Sequence, residues 1–95
     1  MINATRGNHG QSIGWAALDI LAPHLDHIVL VSDIEVEQAM RDLYTDTHNV
    51  AEGAGAASFA AAMQERDQLR GQVVGTTLCG GNVDTSVLAN VLQKQ

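Results

Sequence analysis

The five residues His27 to Val31 read HIVLV, and Ser32-x-x-Glu35 follows them directly. A short, unbroken, β-branched run suits a buried parallel strand. Ser32 and Glu35 have the spacing of a capping box, which predicts a helix over about Asp33 to Tyr44. Ile34, Ala39 and Leu43 are expected to face inward on it. A strand that passes straight into a helix commits the chain to an α/β arrangement with crossover connections.

The flanking segments extend that pattern. Gly10 to Leu21 places Ile13, Ala16, Ala17, Ile20 and Leu21 on one helical face, with Pro23 at its end. Thr45 to Asn49 is polar and reads as a loop. Ala51 to Leu69 is alanine-rich and helical, and Gly53 and Gly55 in its first turn suggest close approach by a ligand or another backbone. Arg70-Gly71 is a helix stop signal. Gln72 to Leu78, QVVGTTL, reads as a second strand. Gly80-Gly81-Asn82 forms a tight turn, and Asp84 can cap a last helix to about Leu92. Two parallel strands and four helices are thus expected in a single partial domain over residues 1–95. Two strands make a poor sheet on their own, because parallel strands usually have neighbours and two covered faces.

Composition excludes several function classes. A net charge of −6 disfavours nucleic acid, whose phosphates would repel the chain. No cluster of basic residues offers a membrane-surface patch, and no apolar run is long enough for a membrane span. The N-terminus lacks a signal-peptide pattern. One cysteine allows no internal disulfide, which fits a reducing cytoplasm. Much of the apolar content is alanine and valine, with only Trp15, Tyr44 and Phe59 as aromatics. Such a core gains little per residue from burial, so marginal stability or a partner is expected.

The chemistry-bearing strings are ATRGNHGQS (Ala4 to Ser12), VAEGAGAA (Val50 to Ala57) and LCGGNVD (Leu78 to Asp84). Strand, Cys-Gly-Gly-Asn, helix is a ligand-binding geometry, with glycines admitting close approach at the helix N-terminus. Taken alone, Gly-Gly-Asn reads as a plain turn. The three strings in this order, with DILAPHLDHIVLVSD and YTDTHNVAEGAGAA, resemble the pyridoxal-phosphate-dependent threonine/serine ammonia-lyase family, of fold type II. From about Leu18 onward the chain is similar to the last part of the family's catalytic domain. Residues 1–17 resemble a different part, the asparagine loop and the helix after it. The two regions abut near Trp15 to Leu18, where the family carries a large intervening segment. The fold implied is therefore a remnant of a three-layer α/β enzyme with an internal deletion.

The resemblance implies roles residue by residue. Asn8 matches the asparagine that bonds the cofactor's ring hydroxyl. Thr5, Arg6, Gly7, Asn8 and His9 match the loop that holds the substrate carboxylate. Cys79 matches the Ser or Cys facing the pyridine nitrogen, followed by Gly80 in the turn. A neutral thiol there favours elimination. Glu52 matches a carboxylate near the cofactor's edge. In related racemases a serine stands where Arg6 stands here, which favours the deaminating branch. The family reaction is deamination of L-threonine or L-serine to a 2-oxo acid and ammonia. The catalytic residues are not carried over, because the Ser-x-Lys segment that supplies the Schiff-base lysine has no counterpart, nor has the glycine-rich phosphate loop. The only lysine, Lys94, lies on what reads as a fraying tail. This chain is expected to be inactive alone and not to retain pyridoxal 5'-phosphate. The alternative is a non-catalytic protein that self-associates or complements another fragment.

Other residues have plainer readings. Cys79 could be a small buried thiol. His24 and His27, with His9 and His48, lack the cysteine partner and closed geometry of a structural zinc site, and no metal is expected. Asp33, Glu35 and Glu37 meet the positive end of a helix. Glu65, Arg66, Asp67 and Arg70 read as a solvated helix face.

Overall fold

The computed structural model describes residues 2–5, 20 and 22–94, with the backbone alone at 2–5 and 22. The helix expected over Gly10 to Leu21 lies outside the described residues, Ile20 excepted. Strand β1 (Ile2–Thr5) pairs in parallel with β2 (His27–Leu30), in the register Ile2 to His27 through Thr5 to Leu30. A 3₁₀ turn at Ala22–His24 precedes β2. Helices α1 (Asp33–Thr47), α2 (Gly53–Gln64) and α3 (Thr85–Gln93) follow. The most extensive packing between elements is α1 on α2; α1 also meets α3, and α2 also meets β1.

The predicted strand at His27 is present, and it is one of two in a parallel sheet. Its partner is not the expected one. Residues 72–78 form no strand, and β1 at Ile2–Thr5 takes the second place instead. Gln72 to Leu78 has the β-branched composition of a strand. A ladder needs a neighbour, and no described strand lies alongside to supply one.

The capping box forms as predicted. Ser32 Oγ accepts from the Glu35 N–H at 3.2 Å, and Glu35 Oε2 accepts from the Ser32 N–H at 2.7 Å. The helix runs three residues past Tyr44, through polar Thr45, Asp46 and Thr47. Exposed polar residues are tolerated in a last turn, and here the turn is stabilised from within. Thr47 Oγ1 donates to Leu43 O, and the N–H of His48, at φ 58°, closes on the Leu43 and Tyr44 carbonyls. The buried face is Val36, Ala39 and Met40, with Leu43 packed beside them. Ile34, expected inward, is 77% exposed. It lies two residues, about 200° of helix rotation, from Val36 and so faces away.

Helix α2 is shorter than Ala51 to Leu69. Glu52 is extended at φ −75°, ψ 165°, which delays the start to Gly53. Past Gln64 the chain continues in turns, with Gln68 and Leu69 N–H groups both donating to Glu65 O, and Gly71 stops them at φ 81°. The described residues form a core cluster of Val36, Ala39, Met40, Ala51, Ala56, Ala60 and Val91, with Val31, Leu43, Phe59, Val83 and Leu88 packed on it. Alanines on α2 let α1 come close, at the expense of apolar area buried per residue. Asp84 occupies the N-cap of α3, but its carboxylate makes no capping bond.

Candidate functional site

Glycine positions in the EGAG and CGGN strings make close backbone contact. The Glu52 N–H donates to Gly80 O at 3.2 Å. A Cβ on Gly55 would lie 2.6 Å from Cys79 O and 2.7 Å from Gly80 O. On Gly81 it would lie 2.7 Å from Val50 O. Gly80 sits at φ 92°, and any side chain there would run into the Glu52 carboxylate. Three glycines thus weld the turn 79–81 onto the start of α2, and larger residues at these positions would hold the two segments apart.

This contact fixes the neighbourhood of each site residue. Glu52 is the N-cap residue of α2, half-buried, with its side chain uninvolved in capping. The first N–H groups of α2 after it have no intrahelical acceptor. Cys79 is a free, exposed cysteine whose backbone carbonyl lies against Gly55. The Glu52 carboxylate, the Cys79–Gly80 backbone and the first turn of α2 therefore meet at one corner. The reading of Cys79 as a buried thiol does not hold.

Thr5 ends β1, and Arg6, Gly7, Asn8 and His9 lie outside the described residues. Strand β2 lies at the opposite end of α2 from Glu52. Gln64 Nε2 donates to Leu30 O at 2.9 Å, and Glu65 bonds His27. Twelve residues of helix, about 18 Å, separate the two ends.

A second polar cluster was missed in sequence. His27 Nδ1 is 2.6 Å from Asp26 Oδ2, and Nε2 is 2.8 Å from Glu65 Oε1. A ring with a carboxylate at each nitrogen is best satisfied as imidazolium, donating twice. Its pKa is raised, first by the Asp26 hydrogen bond and then by that of Glu65. Glu65 is therefore not simply a solvated residue: its side chain is 21% exposed and ties α2 to β2. The sequence signal was the pair Asp26-His27 at the head of a strand, and only the fold could supply Glu65. Among the described residues no group of three His, Cys, Asp or Glu side chains could hold a metal ion. Asp67 and Arg70 do form an exposed pair, at 3.4 Å.

Lys94 is not on a free tail. Its Nζ lies 3.2 and 3.3 Å from the two carboxylate oxygens of Glu37 on α1. It stands at the C-terminal end of α3, whereas the Cys79–Gly81 turn precedes that helix, whose nine residues span about 14 Å.

The chain matches the model of the pyridoxal-phosphate dependent enzyme family over residues 16–80. It is 33% identical over 87 residues to L-threo-3-hydroxyaspartate ammonia-lyase from Pseudomonas sp, covering 92% of this chain and 27% of that protein. It is 30% identical to L-threonine ammonia-lyase from Thermotoga maritima, covering 85% of the chain and 20% of the relative. Serine racemase from Schizosaccharomyces pombe is 31% identical, over 93% of the chain and 27% of the relative. The chain belongs to the pyridoxal-phosphate dependent enzyme family, whose fold is α/β of type II, and it spans about a quarter of the length of the curated relatives it matches.

The described residues fit only part of that cofactor. An exposed thiol, a carboxylate and a glycine-lined backbone suit the edge of an aromatic ring. The aldehyde needs an amine to hold it covalently, and the only lysine is paired with Glu37 away from this corner. No catalytic step is therefore assigned through the cofactor.

Proposed function

We propose that this chain carries the pyridine-edge part of the cofactor site of a threonine/serine ammonia-lyase and does not hold the cofactor or complete the reaction by itself. The reaction of the complete enzyme is deamination of L-threonine or L-serine to a 2-oxo acid and ammonia. The observation that carries the reading is the contact of the Glu52 and Cys79-Gly80 segments through Gly55, Gly80 and Gly81. The names of the relatives support it, since two are ammonia-lyases.

In this reading Cys79 presents its thiol to the pyridine nitrogen, and Glu52 lies at the ring's edge. Asn8 bonds the ring hydroxyl, and Thr5, Arg6, Gly7 and His9 complete the loop for the substrate carboxylate. The cofactor, when bound in a complete enzyme, supplies the electron sink for deprotonation and elimination. The amine and the phosphate cradle come from residues that this chain lacks.

The same reading derives residues 1–17 and 18–95 from two parts of one catalytic domain. The family match starts at residue 16, inside the join. The alignment covering 92% of the chain includes part of residues 1–15 within a quarter of its relative, so the two-part origin rests on the Asn8 string.

The test is an assay of the purified chain with pyridoxal 5'-phosphate and L-threonine or L-serine. No 2-oxo acid above the protein-free control is expected. Cofactor-dependent formation of 2-oxobutanoate from threonine would overturn the reading.

A further inference from the structure

Residues 71–83 carry no charged side chain, although the whole chain has a net charge of −6. Arg70 and Asp84 bound this neutral stretch. Every residue from Gly71 to Asn82 is exposed, and Val73 is fully so. Val74 and Leu78 are 44% and 40% exposed. From Val73 to Cys79 no backbone N–H donates to another backbone group among the described residues. On one side the segment is tethered to α2, where Ser58 Oγ donates to Thr77 O at 2.9 Å. A small cavity of about 80 Å³ separates Val74, Gly75 and Thr76 from Ala61, Ala62 and Glu65 on that helix. Its other side faces solvent.

Local preference goes unrewarded among the described residues here. Val-Val and Thr-Thr around a glycine favour extended backbone, yet the ladder that rewards such a sequence is missing. Exposed backbone whose N–H groups bond no backbone group among the described residues is a template for an added strand. The net charge selects where two copies can meet. Two chains of the same sign repel one another over most of their surfaces, and a stretch of about a dozen uncharged residues is where their backbones approach at least cost. A twofold axis at Gly75 makes the segment self-complementary in antiparallel register. Gln72 then faces Leu78, Val73 faces Thr77, and Val74 faces Thr76, each an apolar or β-branched pairing except at the ends.

We propose that Gln72–Leu78 is a dimerisation strand that pairs antiparallel with the same segment of a second copy of this chain. The order that the sequence encodes is completed between molecules rather than within one. Because only a short strand pair forms, association is weak and depends on concentration.

The test is sedimentation equilibrium of the intact chain across a wide concentration range, with hydrogen exchange at both ends of that range. The mass is expected to move from 10.1 kDa toward twice that value. Exchange at residues 73–78 should slow as it does. Val74→Pro and Thr76→Pro each remove an N–H that bonds no backbone group among the described residues. Both should keep the helical circular dichroism of the parent and weaken association at least tenfold. A chain that stays monomeric at its solubility limit would overturn the proposal. So would dimers that both proline variants form equally well, or protection that appears at Ile28 and Leu30 instead of 73–78. Should either variant unfold, the exchange pattern of the parent chain decides.

Discussion

Gly55 is the residue on which the site corner depends most. Its missing side chain is what allows the Cys79 and Gly80 carbonyls to lie over α2. The clash in Gly55→Ala is with backbone on both sides, so neither neighbour can swing away. The turn must move, at a cost of about 1–3 kcal/mol, the range for overpacking. Chemical denaturation measures that loss, and faster exchange of the Glu52 N–H, now bonded to Gly80, would locate it.

His27 makes a second residue-scale prediction. Its pKa in the folded chain lies above the ordinary 6.5, chiefly through Asp26 and then Glu65. The stabilisation is therefore fully present below about 6.5 and is lost as pH rises through the higher folded value. Stability to urea should fall across that window in the parent chain and stay flat there in His27→Gln. Equal slopes for the two would contradict the imidazolium assignment. Glu35 behaves oppositely. Its pKa is lowered by the Ser32 N–H first and by Gln64 next, so its contribution is present above about 4.5 and fades as pH falls through the folded value.

At the scale of elements, the capping box shows what local sequence can dictate. Ser32 and Glu35 are three residues apart, and their bonds need no other part of the chain. Ser32→Ala should cost about 1 kcal/mol and fray the first turn of α1, read by the midpoint of thermal unfolding. Strand β2 and α1 were legible for the same reason, whereas α3 was read from Asp84, which takes the N-cap position without a capping bond. The segment Gln72–Leu78 was not, because a strand is a property of a pair. Its composition is that of a strand, and no described strand lies beside it. Strand β1 escaped notice for the complementary reason: Ile2–Thr5 is four residues with little pattern, and its place is set by β2. Ile34 was misassigned by taking any apolar residue in a helix as inward, when the face is fixed by Val36, Ala39 and Met40.

At the scale of the molecule, the site was half legible. Glu52 and Cys79 were singled out from glycine-rich strings 27 positions apart, and the structure joins those strings. The Asp26–His27–Glu65 cluster was invisible because Glu65 is 38 residues from His27, in a run that looked solvated. Lys94 was taken for a loose end because nothing local predicts its contact with Glu37. Among the described residues the core is built mainly of alanine and valine, with Met40 the bulkiest buried side chain and Val36 the largest that is fully enclosed. Met40→Ala should cost about 2–5 kcal/mol, as other large-to-small core changes do. Against a total stability on the order of 5–15 kcal/mol that loss is a large share, and it should appear as a clearly lowered urea midpoint followed by circular dichroism.

The proposed function gives this chain the ring-edge corner of a pyridoxal-phosphate site without an amine to hold the cofactor. The direct measurement is titration of the purified chain with pyridoxal 5'-phosphate, followed by visible absorbance and induced circular dichroism before and after dialysis. No cofactor signal should survive dialysis, in the parent chain or in Lys94→Ala alike. A signal that persists in the parent and vanishes in Lys94→Ala would contradict it, because Lys94 would then have left Glu37 to hold the cofactor.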